Sequence, residues 1–492
     1  MKHEKLSKAL DSIDDRYIEE ATRPKKKPFP WVRSIAAIVA IAVIAGFAFH
    51  LLPEQPGIPD SSYTNDLPTH YVELNTQHLD YLLAAPEYPK MTAYPAGNED
   101  SDYTAWWQDQ RVLHDQPQGY ADNLQTYFSY IIPALLEGSD GENTACSPLN
   151  IYMALAMLAE TTDGESRQQI LDLLKADSMD ALRTQAGQVW KAHYNNDGLS
   201  TSILGSSLWL HEDVEYNEKT VNTLAEHYYT SVFRGALGTE EMNTALRAWL
   251  NEQTGGHLQQ QAQNVKLAPN STLALATTVL YQVQWLDEFR EEHNTQATFH
   301  GASGNTEETF MNRELAYGPY YWSDNFSAVY LPLEDNSRMW LLLPDEGVAP
   351  EDILAEAGAF FALEPYAYDS EYEKQKSMTV NLSVPKFDVA SDMDLADKLQ
   401  SAGITHIFQS GVADFSPILS QDDGGYVNQV KHAARVSIDE KGVTAAAFTV
   451  IDRCGAGMPP EEEIDFVLDR PFLFYIESQD GLPLFTGIVN EP

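Results

Sequence analysis

The chain has 492 residues, of which 43% are hydrophobic and 21% charged, and 73 Asp and Glu against 31 Lys and Arg give a net charge of −42. The hydrophobic fraction is too high for a disordered acidic chain. So negative a chain repels phosphate backbones, which excludes nucleic acids as partners. The two cysteines, Cys146 and Cys454, form neither a CxxC pair nor a disulfide framework, so the fold depends on its hydrophobic core.

The charge is unevenly distributed along the chain. Residues 1–33 carry nine Lys and Arg and six Asp and Glu, a net of +3, whereas the remainder carries 22 basic and 67 acidic residues, a net of −45. Residues 34–52 are uncharged and apolar, and with Trp31 and Val32 they reach the roughly 20 residues of a spanning helix. The positive-inside rule puts the basic tail in the cytoplasm.

We therefore predict a single-pass membrane protein with a cytoplasmic tail at 1–33, a transmembrane helix at 34–52 and everything after it outside the cell. This layout is typical of a bacterial surface protein. The alternative is a cleaved signal peptide, which the long basic region before the apolar stretch disfavours. Residues 53–119 repeat Pro, Tyr and Asp without a helical or strand period, so we interpret them as an extracytoplasmic stalk or appended segment.

From residue 120 the pattern changes to regular elements. Residues 123–137 have helical spacing, and Ser147-Pro148 opens an apolar helical run at 149–159. Strand patterns follow at 202–210, 273–281, 327–333, 339–343 and 378–384, and in a closing hairpin at 472–476 and 484–488. Helices that come first and strands that come later predict an α+β fold with large antiparallel sheets.

Catalytic motifs are missing from this sequence. It has no G-x-S-x-G nucleophile elbow, no H-E-x-x-H zinc motif and neither of the glycine-rich phosphate motifs. The 13 histidines form no spaced ligand set. The pattern disfavours an extracellular hydrolase, and we expect no metal or cofactor.

Residues 438–460 do not fit an ordinary domain. A strand reaches Gly442 and is followed by small and β-branched residues through Ile451, and then by a glycine- and proline-rich stretch. An exposed loop is normally more polar, and a long helix would carry fewer β-branched residues. The composition indicates a loop that can become a buried strand.

These features together resemble the serpin family of serine protease inhibitors. Six blocks match the family in order, over about residues 120–492: Asn143–Ile151, Leu342–Gly347, Val384–Phe387, Ala413–Ser416, Glu440–Ala447 and Asp469–Pro492. The resemblance implies a serpin fold with a large central β-sheet, further sheets, about eight or nine helices and an exposed reactive loop.

The resemblance also implies a mechanism. A serine protease attacks the loop, forms an acyl-enzyme and is trapped when the cleaved loop inserts as a new strand in the central sheet. Counting from the hinge glutamate places the cut between Ala456 and Gly457. Ala456, the residue before the cut, is small, which suits elastase-like proteases. Cuts after Arg453, Cys454 or Met458 are alternatives. The hinge itself comprises Glu440, Gly442, Val443, Thr444, Ala445, Ala446 and Ala447.

Insertion would bury alternate loop side chains, and five successive ones are uncharged: Val443, Ala445, Ala447, Thr449 and Ile451. The next inward residue, Arg453, falls at the far end of the new strand, where we expect it to reach solvent. This pattern favours an inhibitory member, because an inward charge would block insertion. The family usually has Thr or Ser where this chain has Val443.

Two further groups of residues follow from the resemblance. At the breach, where the hinge enters the sheet, Lys386 is expected to pair with Glu440 above Trp285. At the shutter, where the central strands part, the residues are Ser147, Asn150, Thr277 and His432. The family usually has Ser in place of Asn150 and Asn in place of Thr277. We expect this exchange to keep one amide and one hydroxyl in the network with His432.

The sequence thus predicts a monomeric, membrane-anchored, extracellular inhibitor without cofactor, whose partners are serine proteases such as the elastases of host neutrophils or the pancreas. The alternative is a non-inhibitory serpin-fold protein that binds a ligand at the cell surface.

Overall fold

The computed structural model of the protein describes residues 77–95, 100–257, 259–263, 265–269, 271–363, 365, 372–420, 425–443 and 462–492. The predicted basic tail, the predicted membrane helix and the greater part of the reactive loop lie outside these residues. Within the described part of the chain, no helix is both long and apolar enough to cross a membrane.

Most of the helices in the described residues lie before residue 263. The helices are α1 (Asp100–His114), α2 (Leu124–Leu136), α3 (Pro148–Thr161), α4 (Gly164–Leu174), α5 (Met179–His193), α6 (Glu218–His227), α7 (Glu240–Gln253), α8 (Gln259–Ala262), α9 (Leu354–Ala362) and α10 (Ala396–Ser401). Short 3₁₀ turns lie at Gln77–Tyr81, Glu291–His293, Pro350–Ile353 and His406–Phe408.

The strands of the described residues form two sheets. They are β1 (Leu82–Ala84), β2 (Thr144–Cys146), β3 (Asn195–Asn196), β4 (Thr201–His211), β5 (Thr230–Gly235), β6 (Leu273–Gln284), β7 (Thr295–Gly301), β8 (Gly304–Trp322), β9 (Phe326–Pro332), β10 (Arg338–Pro344), β11 (Gln375–Pro385), β12 (Phe387–Asp394), β13 (Val427–Ile438), β14 (Gly442–Val443), β15 (Glu463–Val467), β16 (Phe472–Glu477) and β17 (Pro483–Val489). The predicted α+β class and the predicted order of elements are confirmed. The prediction of antiparallel sheets was wrong in part, because β4–β5 and β6–β13 in one sheet and β11–β15 in the other are parallel pairs.

The central sheet has the order β1-β5-β4-β6-β14-β13-β12, with β3 paired to β4. Strand β6 is buried along almost its whole length because helices cover both faces of the sheet. Helix α3 packs on the face that joins the main core, and α7 covers the opposite face. On that face Ala274 and Ala276 of β6 contact a smaller cluster that includes Trp249.

Ser147 and Pro148 fix the start of helix α3. Ser147 caps the helix, since its hydroxyl accepts a hydrogen bond from the backbone N–H of Asn150 at 3.2 Å, and Pro148 occupies the first turn. The helix has no polar face, so nearly all of it is buried beneath the central sheet. Its N-terminus therefore reaches the underside of the strands that form the candidate site.

The second sheet has the order β15-β11-β8-β9-β10-β16-β17-β2, with β7 paired to β8. Its edge strand β15 runs parallel to β11. Strand β14, in the central sheet, is the last described element before residues 444–461, and β15 follows them. The predicted reactive loop therefore connects the middle of one sheet to the edge of the other.

The appended segment has structure that the sequence pattern did not reveal. Strand β1 adds to the free edge of β5, and α1 packs against α5. Among the side chains of α1 whose burial is described, only Trp106 and Gln110 are buried, so this part of the helix lacks the continuous apolar stripe that periodicity detects. Their spacing of four residues is the signal that was available.

Candidate functional site

The candidate site lies where β6 and β13 separate. Along one half the two strands pair directly and in parallel, from Val427 opposite Leu273 to Ala433 opposite Thr278. Along the other half β14 lies between them, antiparallel to both. The sheet is therefore closed at one end, and at the other end it already contains two residues of the predicted hinge.

The two hinge residues are firmly seated. Val443 pairs with Val283 on β6 and with Ile438 on β13, and only 1% of its surface is exposed. Gly442 pairs with Gln284, and a Cβ atom at this position would lie 2.2 Å from the carbonyl oxygen of Val283. A glycine is therefore required where the chain enters between the strands.

A tight turn leads from β13 into β14. The Asp439 carboxylate accepts hydrogen bonds from the backbone N–H groups of Lys441 at 2.8 Å and Gly442 at 3.1 Å. Trp285 lies against this turn and is buried. Its indole N–H donates to the carbonyl of Asp439 at 2.8 Å, and its backbone N–H donates to the carbonyl of Lys441 at 2.8 Å. Trp285 thus fixes both sides of the turn.

Glu440 projects from the same turn into a partly buried ion pair. Lys386 Nζ lies 2.5 Å from Glu440 Oε1, and the amide of Asn294 donates to the same carboxylate. Burial alone would raise the pKa of Glu440, but the hydrogen bonds from Lys386 and Asn294 outweigh it and lower the pKa below its usual value. The charged form of Glu440 therefore holds the hinge turn against the β11–β12 connection, which contains Lys386, and the β6–β7 connection, which contains Asn294.

The closed end is held by a polar network around His432, which is fully buried. The backbone N–H of Ser147 donates to His432 Nε2 at 3.0 Å, so that nitrogen is an acceptor and the ring proton resides on Nδ1. Nδ1–H then donates to the Thr277 hydroxyl at 3.0 Å. One imidazole thus ties together β13, β6 and the start of α3.

The expectation for Asn150 was wrong in one respect. Both ring nitrogens of His432 are taken by Ser147 and Thr277, so the Asn150 amide donates instead to the carbonyl of Thr278 at 2.9 Å. The hydroxyl of Thr277 does bond to His432. Asn150 joins the network through Ser147, whose hydroxyl accepts from its backbone N–H. The register of β6 explains the difference, because it presents the Thr278 carbonyl to α3.

Burial lowers the pKa of His432 to about 4, since the surrounding core disfavours a charged imidazole. The neutral tautomer described above is therefore the form present at neutral pH. The network closes the strands without carrying a charge.

The structure brings together Glu440, Gly442, Val443, Lys386 and Trp285 at the open end. It brings together the four predicted shutter residues at the closed end. The remaining predicted hinge residues and the predicted reactive bond lie outside the described residues: Thr444, Ala445, Ala446, Ala447, Ala456 and Gly457.

The sequence reasoning missed Asn294 and Asp439, which both hold the hinge turn. Asp439 carried a detectable signal, because an Asp placed three residues before a Gly often forms a side-chain turn. Asn294 carried none, since its partner Glu440 lies 146 positions away in the chain.

Comparison with known proteins agrees with this geometry. Residues 125–492 match the family described as Serpin (serine protease inhibitor). An alpha-1-antitrypsin-like protein, GS55-MS, of Ictidomys tridecemlineatus is 26% identical over 390 residues, covering 77% of this chain and 90% of that protein. The crystal structure of Tengpin, a thermophilic serpin in the native state, superposes with a TM-score of 0.68 at 23% identity, covering 82% of this chain and 98% of Tengpin.

Human thyroxine-binding globulin in complex with thyroxine also has this fold, with a TM-score of 0.67 at 20% identity over 76% of this chain and 99% of that one. The chain belongs to the serpin family. Members of this family are generally protease inhibitors and not enzymes.

Proposed function

We propose that this chain is an inhibitor that traps serine proteases by loop insertion. The observation that carries the proposal is the position of Gly442 and Val443, which occupy the space between β6 and β13 as the first residues of a new strand. Because Gly442 and Val443 already lie between β6 and β13, insertion of the rest of the loop does not have to separate the strands at a new position. Continued insertion lengthens an existing strand.

The composition of the loop supports the same function. Continuation of the β14 pleat past Val443, which is buried, points Ala445 inward and Ala446 outward. The inward positions that follow carry no charge through Ile451. In a loop that never inserts, these side chains would stay in water and could be large or charged at little cost.

For the target we propose an elastase-like serine protease, with cleavage between Ala456 and Gly457. The small side chain of Ala456 fits a shallow specificity pocket. The net charge of −42 also favours association with cationic proteases, such as those that host neutrophils release.

The test mixes the purified chain with an elastase. An inhibitor of this type forms a complex that survives SDS, and mass spectrometry of the released peptide finds it beginning at Gly457. Cleavage without a complex would support the alternative, a serpin-fold binding protein that does not inhibit. A peptide beginning at another residue would overturn the proposed reactive bond alone.

A matched pair of variants separates insertion from simple binding. Ala445→Glu places a charge on the inward face of the new strand, whereas Ala446→Glu places the same charge outward. We expect Ala445→Glu to be cleaved as an ordinary substrate and Ala446→Glu to keep forming the complex. Equal behaviour of the two would contradict loop insertion.

One apolar cavity inside the domain is too small to serve the alternative of a small-molecule carrier. The cavity lies between α2 and α9, is lined by Phe128, Leu354 and Phe361 among others, and has a volume of about 30 Å³. This is room for little more than one water molecule.

We further propose that residues 34–52 anchor the protein as a single-pass helix with its N-terminus in the cytoplasm. Their lack of charge and the basic residues before them support this topology. Alkaline extraction of membranes tests it, because an anchored chain stays in the pellet and a chain lacking residues 1–52 is released. Release of the full chain would contradict it.

A further inference from the structure

A large cleft separates the appended segment from the domain that matches the family. Its volume is about 540 Å³, within the range of small-molecule sites. One wall is α1 and the chain that follows it to Tyr120. The other wall is formed by the end of α5, by β4 and by the turns that contain Asp335 and Asp480.

The wall contributed by α1 is fixed in place. The side-chain N–H groups of Trp106 and Gln110 both donate to the Asp197 carboxylate at 3.0 Å. The ring of His114 donates to the carbonyl of Tyr194 at 2.8 Å. The cleft is therefore preformed and does not depend on a ligand to assemble it.

The lining of the cleft is strongly acidic. It contains the carboxylates of Asp115, Asp197, Glu334, Asp335 and Asp480. Among the described residues of the lining, the one Lys or Arg side chain is Arg111, which forms an ion pair with Asp115 at 3.2 Å.

Two of these carboxylates lack a cation. Asp480 accepts from the Tyr120 hydroxyl at 2.6 Å. Asp335 accepts from the Tyr281 hydroxyl at 3.0 Å, from the backbone N–H of Ser337 at 3.1 Å and from the Ser337 hydroxyl. Among the described residues, no Lys, Arg or His lies within ion-pair distance of either carboxylate. Burial raises the pKa of Asp335, although the hydrogen bonds from Ser337 and Tyr281 oppose that rise. The cleft therefore keeps carboxylates that no described cation pairs with, Asp480 foremost.

Several buried polar atoms in the lining have no hydrogen-bond partner. His193 and Ser202 are each more than nine-tenths buried, and His193 Nε2 and Ser202 Oγ are both unpaired. The Asn195 side-chain oxygen is also unpaired. Such atoms are few in folded proteins, and each one needs an explanation.

The unpaired groups are mostly acceptors. His193 Nδ1–H donates to the Val189 carbonyl at 2.7 Å, and burial lowers the pKa of His193, so the ring is neutral and Nε2 offers a lone pair. The Asn195 oxygen can only accept. These acceptors behind the lining, together with its carboxylates, therefore favour a ligand that supplies donors and positive charge.

We propose that this cleft binds a small organic ammonium ion, such as an alkyl diamine or a polyamine. Asp480 is its main counter-ion, Asp335 is a second acceptor in the same lining, and the rings of Trp107 and Tyr120 are available for cation–π contact. A metal ion fits less well, because no three His, Cys, Asp or Glu side chains of the described residues are grouped so that they could hold one.

The experiment titrates the full chain with 1,4-diaminobutane and with spermidine in a calorimeter, and with 1,4-butanediol as the uncharged analogue. We expect both amines to bind, the diol not to bind, and the affinity for the amines to fall as salt is added. The absence of binding by both amines, or equal binding of diamine and diol, would overturn the proposal.

A variant pair locates the site. Asp480→Asn keeps an oxygen that can accept from Tyr120 but removes the charge, and it should weaken amine binding about tenfold or more. Asp213→Asn removes one charge from an exposed carboxylate outside the lining and should leave binding unchanged. Equal effects of the two variants would contradict this site. If Asp480→Asn does not melt cooperatively, the diamine and diol titrations of the unaltered chain decide.

Discussion

The two ends of the junction between β6 and β13 differ in what holds them. At the closed end the strands bond to each other, and a neutral imidazole links them to α3. At the open end they bond to Gly442 and Val443, and an ion pair and an indole hold the turn that feeds these residues in. At the open end, β6 and β13 therefore accept an inserted strand between them. At the closed end, the His432 network holds the two strands together.

This difference separates two properties of the protein. Residues at the open end determine how firmly the hinge is seated, and residues at the closed end determine how easily the strands part further. Substitutions at the two ends should therefore differ in their effect on the hinge, even where they cost the same free energy of unfolding.

The largest effect is expected at Trp285. Trp285→Ala leaves a cavity and an unpaired Asp439 carbonyl, so it should lower the free energy of unfolding by about 3–5 kcal/mol. It should also speed hydrogen exchange at Gly442 and Val443. Trp340→Ala is the control, because Trp340 is equally buried but lies in the second sheet. An unchanged exchange rate at the hinge in Trp285→Ala would contradict its role.

The next largest effect is expected from acid at the closed end. The pKa of His432 is about 4 in the folded chain and about 6.5 when unfolded, so below pH 6.5 the unfolded chain binds a proton that the folded chain does not. Stability should therefore fall as the pH decreases from 6.5 to 4, by about 1.4 kcal/mol per unit and about 3 kcal/mol in all, with no further loss from this group below pH 4.

His432→Gln isolates this contribution, because an amide can still accept from Ser147 and donate to Thr277 but does not titrate. Denaturant unfolding of both proteins at several pH values measures the difference. The difference should shrink as the pH decreases from 6.5 to 4, and parallel pH profiles would show that His432 is not the responsible group.

A smaller effect is expected at Gly442. Gly442→Ala forces a Cβ atom against the backbone of β6 and should lower the free energy of unfolding by about 1–3 kcal/mol, with displacement of the hinge. Gly358→Ala is the matched control, since its Cβ would lie 3.7 Å from the nearest atom in a helix, where alanine is favoured. A Gly442→Ala protein as stable as the Gly358→Ala protein would contradict the seated hinge.

The smallest effect is expected at the ion pair. Lys386 is 39% exposed, so water weakens its attraction to Glu440 and a coupling of about 1 kcal/mol is expected. A double-mutant cycle of Glu440→Gln and Lys386→Gln measures this coupling. The pKa of Glu440 is lowered, so the contribution should be present at neutral pH and lost as acid protonates Glu440. A coupling of zero at pH 7 would show that the pair does not hold the hinge.

Much of the fold could be predicted because its signals are local. The apolar run after Ser147-Pro148 and the alternation in 378–384 each specify an element without reference to the rest of the chain. Helix α1 could not be predicted, because it is held by Trp106 and Gln110 through a distant carboxylate, Asp197, and not by a periodic stripe.

The candidate site shows the same division. The composition of the hinge predicted a loop that can become a buried strand. This property could be predicted because it depends on consecutive residues. The partner of Asn150 depends on which carbonyl of β6 faces the start of α3, and no local pattern encodes that placement. The acidic cleft likewise gathers Asp115, Asp335 and Asp480 from three distant segments.

The most direct test of the central proposal compares the thermal unfolding of the intact chain with that of the chain cut in its loop by an elastase. If the loop extends β14 between β6 and β13, the cut chain should unfold at a markedly higher temperature, because the cut frees the loop to complete the strand. A cut chain that unfolds at the same temperature as the intact chain, or at a lower one, would contradict loop insertion.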